Sequence, residues 1–277
     1  MRPRAILIAG PTASGKSALA LALAEAIKGT VINADALQVY AELEVLTARP
    51  DVEARARAPH ALYGHVPSRE AYSVARWLGD ARFAVAAAER AGRLPIIVGG
   101  TGLYFRALLK GLADIPEIPA EVREEARALI EGEGAEKFRA RLARVDPDAA
   151  ARLPLQDRAR AVRAFEVAVA TGRSITEWQQ GAHRPLFAEE DALRLALMPA
   201  NERLRARIAE RFEAMLAAGA LDEVARIAAL ELPARSPTLK VLGFAELAQH
   251  LSGTLSLADA KESAIRRTRQ YAKRQRT

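Results

Sequence analysis

The sequence predicts an α/β fold: a P-loop NTPase-like parallel sheet flanked by helices, with an all-helical insertion domain. Three observations predict it. A short apolar run, Ala5-Ile6-Leu7-Ile8-Ala9, leads into a glycine-bounded loop and then an Ala/Leu-rich helix from Ser17 to about Lys28. Two further apolar runs, one closing on Asn33 and Asp35 and one spanning Leu94 to Val98, alternate with helical patterns as βαβ units do. Residues 114–190 then carry helical periodicity and no parallel-strand signal. The core is therefore expected over 1–113 and 191–277, and the insertion over 114–190.

The loop after the first run fits G-x-x-x-x-G-K-[ST], as Gly10-Pro11-Thr12-Ala13-Ser14-Gly15-Lys16-Ser17. Glycines let backbone N–H groups curl around phosphate oxygens, and the helix behind presents its positive end. Lys16 adds a point charge, and the Ser17 hydroxyl can ligate Mg²⁺. A strand before and a helix after make an incidental glycine turn a poor explanation, so a di- or triphosphate group is expected here.

The second strand ends at Asp35. Functional groups gather beyond the carboxyl ends of parallel strands, so Asp35 is expected beside the phosphate loop, as a Mg²⁺ partner, a general base or an N-cap for Ala36-Leu37-Gln38. Gln38, one helical turn on, is expected to face the same cleft. Residues 41–67 read as irregular, and His60 and His65 within them as packing or surface residues. A helix is expected from near Ser73 to Ala91, then the Leu94–Val98 strand. Gly99-Gly100-Thr101-Gly102 closes that strand, allows close approach of a ligand and presents the Thr101 hydroxyl. Leu103 to Leu112 continues as helix.

In the insertion, helices are expected over 121–130, 135–144, 157–171 and 174–180. Arg160 and Arg163 share a face of the third, which a solvated surface and a nucleic-acid contact explain equally well. A strand is expected at Arg194–Met198 and a long helix from Asn201 to Ala218. Arg203, Arg207 and Arg211 form one stripe on that helix, relieved by Glu210 and Glu213 or, if the helix borders the loop, set to grip phosphates. Helices follow over 221–229, 244–251 and from 257 onward. The last carries Arg266, Arg267, Arg269, Lys273, Arg274 and Arg276 with few acids nearby, a candidate for phosphate-backbone contact.

The chain has 277 residues, half of them hydrophobic, and no cysteine, which excludes disulfides and thiolate metal sites. The run after Met1-Arg2-Pro3-Arg4 is too short for a signal peptide and no stretch is long enough to span a membrane, so a cytoplasmic protein is expected. The formal net charge is +7 and the sequence pI about 10.0, which favours a polyanionic partner. Arginine accounts for 34 of the 41 basic residues, a bias that a GC-rich genome also produces.

Several stretches together resemble the bacterial tRNA dimethylallyltransferases. They are the phosphate loop, Asp35-Ala36-Leu37-Gln38-Val39-Tyr40, Gly99-Gly100-Thr101-Gly102-Leu103-Tyr104, Arg163-Ala164-Phe165-Glu166-Val167, Thr171-Gly172-Arg173, Met215 through Glu223, Gly243-Phe244-Ala245-Glu246 and Thr268 through Gln275. They cover nearly the whole chain in the family's order. The resemblance implies transfer of a dimethylallyl group from dimethylallyl diphosphate to the exocyclic amine of the adenosine 3′ of the anticodon. It makes Asp35 the general base, Thr101 a contact to the reacting groups, and the loop with Lys16, Arg207 and Arg211 the diphosphate site, with Mg²⁺ as cofactor. It implies contacts to the tRNA anticodon stem-loop from Asp35, Ala36, Leu37, Gln38, Thr101, Arg123, Ala159, Arg160, Ala161, Val162 and Arg163, with Arg269, Lys273 and Arg274 on the basic helix.

The sequence departs from the family at Ala36, where Ser is usual, and at Ala159, where Gln is usual; it stops at Thr277, where members usually continue. Nothing in it demands more than a monomer. The alternatives are an adenylate isopentenyltransferase acting on free AMP, against which the insertion argues, a small-molecule kinase holding ATP in the loop, and a non-catalytic RNA-binding module, which leaves Asp35 unexplained.

Overall fold

The N-terminal apolar runs become strands because each is short, branched and closed by glycine or a polar turn. In the computed structural model, which describes residues 3–181 and 183–276, they form β1 (Ala5–Ala9), β2 (Gly29–Asn33) and β4 (Leu94–Gly99). Met1, Arg2, Ala182 and Thr277 lie outside the described residues. Between these strands run α1 (Lys16–Ala26), α2 (Val52–Arg57), the short β3 (His60–Ala61) and α3 (Val74–Arg90). After β4 comes α4 (Gly102–Lys110). Ser73 caps α3 by accepting from the Arg76 N–H.

The insertion contains α5 (Ala120–Val145), α6 (Pro147–Arg152), α7 (Arg158–Thr171) and α8 (Ile175–Gln180). Then follow β5 (Ala192–Ala196), α9 (Asn201–Ala217), α10 (Ala220–Ala228), α11 (Phe244–Leu251) and α12 (Leu257–Arg274). The chain divides into two compact units, 1–109 with 186–277, and 110–185. The second unit thus begins four residues before, and ends five residues before, the 114–190 expected for the insertion.

The five strands are parallel in the order β3-β2-β4-β1-β5. On one face Ile6, Ile8, Val31, Ile96 and Val98 pack with Ala20 and Ala24 of α1. The alternate residues Leu7, Ile32 and Ile97 are buried too, and α3 packs on the sheet with Trp77 and Ala81 fully buried. Both faces are covered, which is why the strands read as unbroken apolar runs. Ala9 lies opposite Gly99 and Ala196, and Asn33 opposite Val98. The chain leaves β1 towards β2 and leaves β4 towards β5, in opposite directions, so a crevice opens at their carboxyl ends.

Four local expectations are corrected. Residues 36–40 form a turn instead of a helix. The segment 41–67 contains α2 and β3, too short for periodicity to reveal. In the insertion Asp146 caps a further short helix, α6, whereas the two helices expected at 121–130 and 135–144 are present as the two halves of α5 on either side of Gly134 (φ 81°). β5 sits two residues earlier than expected; as an edge strand it is mostly exposed, so its apolar pattern is weak.

The insertion has its own core of Ala126, Ile130, Phe138, Leu142, Ala164 and Phe165, with the Phe138 and Phe165 rings 5.3 Å apart. The fully buried Asp146 accepts from the N–H groups of Ala149 (2.9 Å) and Ile175 (3.2 Å), holding the starts of α6 and α8. Among the described residues no helix is long and apolar enough to cross a membrane.

In the first unit, Glu223 on α10 is completely buried and accepts three backbone N–H bonds, from Glu44 (2.9 Å), Val45 (2.7 Å) and Leu46 (3.0 Å). One carboxylate thus fastens the loop after β2. Glu223→Ala leaves three donors without an acceptor and is expected to lower unfolding free energy by about 3 kcal/mol. Urea titration of both proteins checks this; a loss under about 1 kcal/mol would show that the loop is held by other means.

Candidate active site

The phosphate loop takes its shape from two left-handed residues, Ala13 (φ 62°) and Gly15 (φ 94°), on either side of Ser14. Alternation of this kind turns successive N–H groups to one side and forms an anion nest. No side chain caps the start of α1, so its first N–H groups are left to an anion arriving in the loop. The Ser14 hydroxyl is buried beside Gly10, where a Cβ would lie 2.8 Å from it, and has no hydrogen-bond partner among the described residues. Lys16 Nζ donates to the Pro11 carbonyl (3.3 Å), within the loop.

The facing wall is α9. Arg207 Nη1 donates to the Ser14 carbonyl (3.1 Å), Arg211 Nη1 to Thr12 Oγ1 (3.1 Å) and Arg211 Nη2 to the Thr47 carbonyl (3.0 Å). Of the arginine stripe these two line the cleft, whereas Arg203 is exposed and does not. Glu213 does not relieve the stripe: it pairs with Lys261 (2.6 Å). The cleft, about 340 Å³, also takes in Lys16, Ser17, Asp35 and Gln38. Burial pulls the Lys16 ammonium down to about 8; Asp35 opposes that shift and Arg211 adds to it. Burial also lowers Arg211, again opposed by Asp35. The three groups therefore share one desolvated neighbourhood.

Asp35 is placed by Asn33. The Asn33 side chain accepts from the Asp35 N–H (2.8 Å) and donates to the carbonyls of Asp35 (3.0 Å) and Leu62 (3.0 Å). Asp35 Oδ1 accepts from the Leu37 N–H (2.9 Å), an Asx turn in place of the expected helix cap. The Ala36 N–H donates to Thr101 Oγ1 (3.1 Å), which couples the two strand ends and leaves the Thr101 proton for another acceptor. Gln38 Nε2 donates to the carbonyls of Thr47 (2.9 Å) and Ala48 (3.2 Å).

Burial pushes the phenols of Tyr63, Tyr104 and Tyr271 up, and Asp35 adds to each shift. Tyr104 is stacked on Trp77 at 4.1 Å, and Trp77 Nε1 donates to the Asn33 carbonyl (2.9 Å). Sequence reasoning missed Thr47, which lines the cleft and carries no local signal.

Ser17 and Asp35 line the same cleft, and the described residues hold no cluster of three or more His, Asp or Glu built for a metal. A hydroxyl and one carboxylate fit Mg²⁺, which takes few protein ligands and completes its shell with phosphate oxygens and water.

On α12, Arg269, Lys273 and Arg274 are exposed, with the Arg274 guanidinium 5.7 Å from the Tyr271 ring centre. Arg267, by contrast, pairs with Glu246 (2.7 Å), so acids do lie close to part of this helix. In the insertion, Arg123 is half-buried near the start of α5, and Ala159, Arg160, Ala161, Val162 and Arg163 form the first turns of α7. Arg160 pairs with Asp157 (3.0 Å) and Arg163 with Glu166 (3.4 Å), so both are held by local acids.

A family model described as IPP transferase matches residues 38–277, and one described as isopentenyl transferase matches residues 3–58. A tRNA dimethylallyltransferase of Azorhizobium caulinodans is 55% identical over 275 residues, 99% of this chain and 88% of that protein. One of Rhodopseudomonas palustris is 50% identical over 99% of this chain and 85% of its own length. A solved tRNA isopentenylpyrophosphate transferase of Bacillus halodurans superposes with a TM-score of 0.68 at 28% identity, covering 99% of this chain and 86% of that one. A eukaryotic dimethylallyltransferase solved while acting on tRNA superposes with a TM-score of 0.85 at 30% identity, covering 98% of this chain and 68% of that one. With an anion nest beside a carboxylate in one cleft and matches running along its whole length, the chain belongs to the IPP transferase family.

Proposed function

We propose that the chain transfers a dimethylallyl group from dimethylallyl diphosphate to the exocyclic amine of the adenosine 3′ of the anticodon in tRNA, releasing diphosphate. The observation that carries this reading is the single cleft in which the anion nest, Lys16, Arg207 and Arg211 face Asp35. Allylic diphosphates ionise readily. Their transition state places cationic character on carbon and negative charge on the departing oxygens. Backbone N–H groups, Lys16 and the two arginines suit those oxygens and are set in place before the reaction. When bound at Ser17, Mg²⁺ would supply further neutralisation of the diphosphate charge.

The adenine amine is a weak acid until the C–N bond forms, so an ordinary carboxylate suffices to take its proton. Asp35 has one oxygen in the Asx turn and the other for that task. To reach Asp35 the target base must turn out of the anticodon stack. Gln38 and Thr101 from the core, Arg123 and residues 159–163 from the insertion, and Arg269, Lys273 and Arg274 from α12 are the proposed tRNA contacts. Every group named comes from one chain, so the reading needs only a monomer, and a tRNA substrate suits the expected cytoplasmic setting.

Incubation with labelled dimethylallyl diphosphate and either tRNA or AMP, followed by nucleoside mass spectrometry, tests the reading. Prenyl-adenosine in tRNA is expected; label in AMP alone would overturn it. Asp35→Asn keeps the turn, because an amide oxygen still accepts from Leu37. It is expected to lower kcat at least 100-fold while tRNA affinity, measured by filter binding, stays within about threefold.

The pH dependence follows from Lys16. Its free-state value lies near 8, and an anionic donor favours the charged form. Donor kcat/KM is therefore expected to hold steady below that value and to fall by up to about tenfold per pH unit above it. Lys16→Met is expected to weaken donor binding and to flatten this descent; a descent of the same slope in that variant would assign it to another group.

A further inference from the structure

The end of α12 reaches into the site through one side chain that the mechanism above does not use. Gln275 Oε1 accepts from the Thr12 N–H of the phosphate loop (2.8 Å), and Gln275 Nε2 donates to the Gly100 carbonyl (3.0 Å). Thr12 and Gly100 follow adjacent strands whose ends are in register, Ala9 opposite Gly99. The amide therefore closes a bridge across the mouth of the crevice between β1 and β4. Only an amide does this with one donor and one acceptor; a carboxylate has nothing to give the Gly100 carbonyl.

Two further features show that the bridge is built in. Gly100 makes room for it: a Cβ there would lie 2.2 Å from Gln275 Nε2. The helix end is also fixed. Ala272, one turn earlier, is buried with Leu204 and Ile208 of α9 and packs against Ala13 of the phosphate loop. Arg276 donates to the Asn201 side chain at the start of α9.

The bridge bears on the chemistry through its neighbours. Gly100 precedes Thr101, whose hydroxyl accepts from the Ala36 N–H, next to Asp35. Thr12 carries the hydroxyl that Arg211 holds. We infer that Gln275 is a positioning residue: its amide locks the phosphate loop to the Thr101 turn and so sets the distance between the leaving diphosphate and the groups that handle the adenine amine. This rests on the transfer reading proposed above. In-line displacement is sensitive to that distance, since a misplacement of about 1 Å can cost about 100-fold in rate.

The test uses Gln275→Ala, Gln275→Glu, Gly100→Ala and the double variant Gly100→Ala/Gln275→Ala, with tRNA saturating and donor varied. For Gln275→Ala, kcat is expected to fall about ten- to 100-fold, with donor KM moving less than about threefold and Tm by less than about 4 °C. Gln275→Glu is expected to fall at least as far. Gly100→Ala displaces the amide, so it is expected to lose activity by itself and to add little when Gln275 is already truncated. The inference is overturned if Gln275→Ala keeps kcat within about twofold of wild type, if its loss is wholly in KM or parallels a large drop in Tm, or if the two substitutions multiply. If the unaltered protein transfers no prenyl group, the transfer reading itself fails, which wild-type activity alongside a normal Gln275→Ala variant would distinguish.

Discussion

Two partly buried cations set against one carboxylate, at the carboxyl edge of a parallel sheet, form the constraint on which the rest of the structure depends. Lys16 and Arg211 are both desolvated, and Asp35 is the anion that offsets the cost. Such a cluster is tolerable only if its members are held by other bonds, and each is. Lys16 leans on Pro11, Arg211 on Thr12 and Thr47, and Asp35 on Asn33 and Leu37. The net charge of the three is positive, so the site as built has a deficit of negative charge. The diphosphate of the proposed donor would supply it.

Holding these groups falls largely to backbone carbonyls and buried polar side chains outside the phosphate loop. Glu223 gathers three consecutive N–H groups and thereby fastens the loop that carries Thr47. Asn33 does the equivalent at the end of β2, bonding both to Asp35 and to Leu62 beyond β3. These residues are buried, so their cost of immobilisation is met by folding and not at the moment a ligand binds. That is the physical sense in which the site is preorganised.

What the sequence revealed follows from how local each cause is. The phosphate loop, Asp35 and the Gly99–Gly102 turn were legible because spacing, strand and helix lie within a few residues of one another. The helix positions of α9, α11 and α12 were legible from periodicity. Arg207 and Arg211 were found as part of a stripe, but that Arg203 stays outside depends on where α9 crosses the loop. The turn at 36–40 read as a helix because Asp35 offers its oxygen to a following N–H in both cases; only the Asn33 bond decides between them. Glu223 falls in a stretch that the family resemblance marks, but its bonds to the backbone of 44–46, which hold the loop carrying Thr47, are made by a residue far along the chain and no local pattern shows them. The pairing of Arg267 with Glu246 and of Glu213 with Lys261 is non-local in the same way.

The Thr47 carbonyl links the two sides of the cleft. It accepts both from Gln38, a proposed contact to the acceptor, and from Arg211, a proposed contact to the donor. A carbonyl has two lone pairs, so it serves both at once, but any movement of the 44–48 loop alters both bonds together. Donor and acceptor sides therefore share a single mechanical reference, itself pinned by Glu223 from α10. In a transfer between two bound substrates, a common reference of this kind reduces the relative motion of the reacting atoms more than two independent anchors would, because errors in its position cancel. The fold thus concentrates its non-local bonds where registration between two ligands matters most.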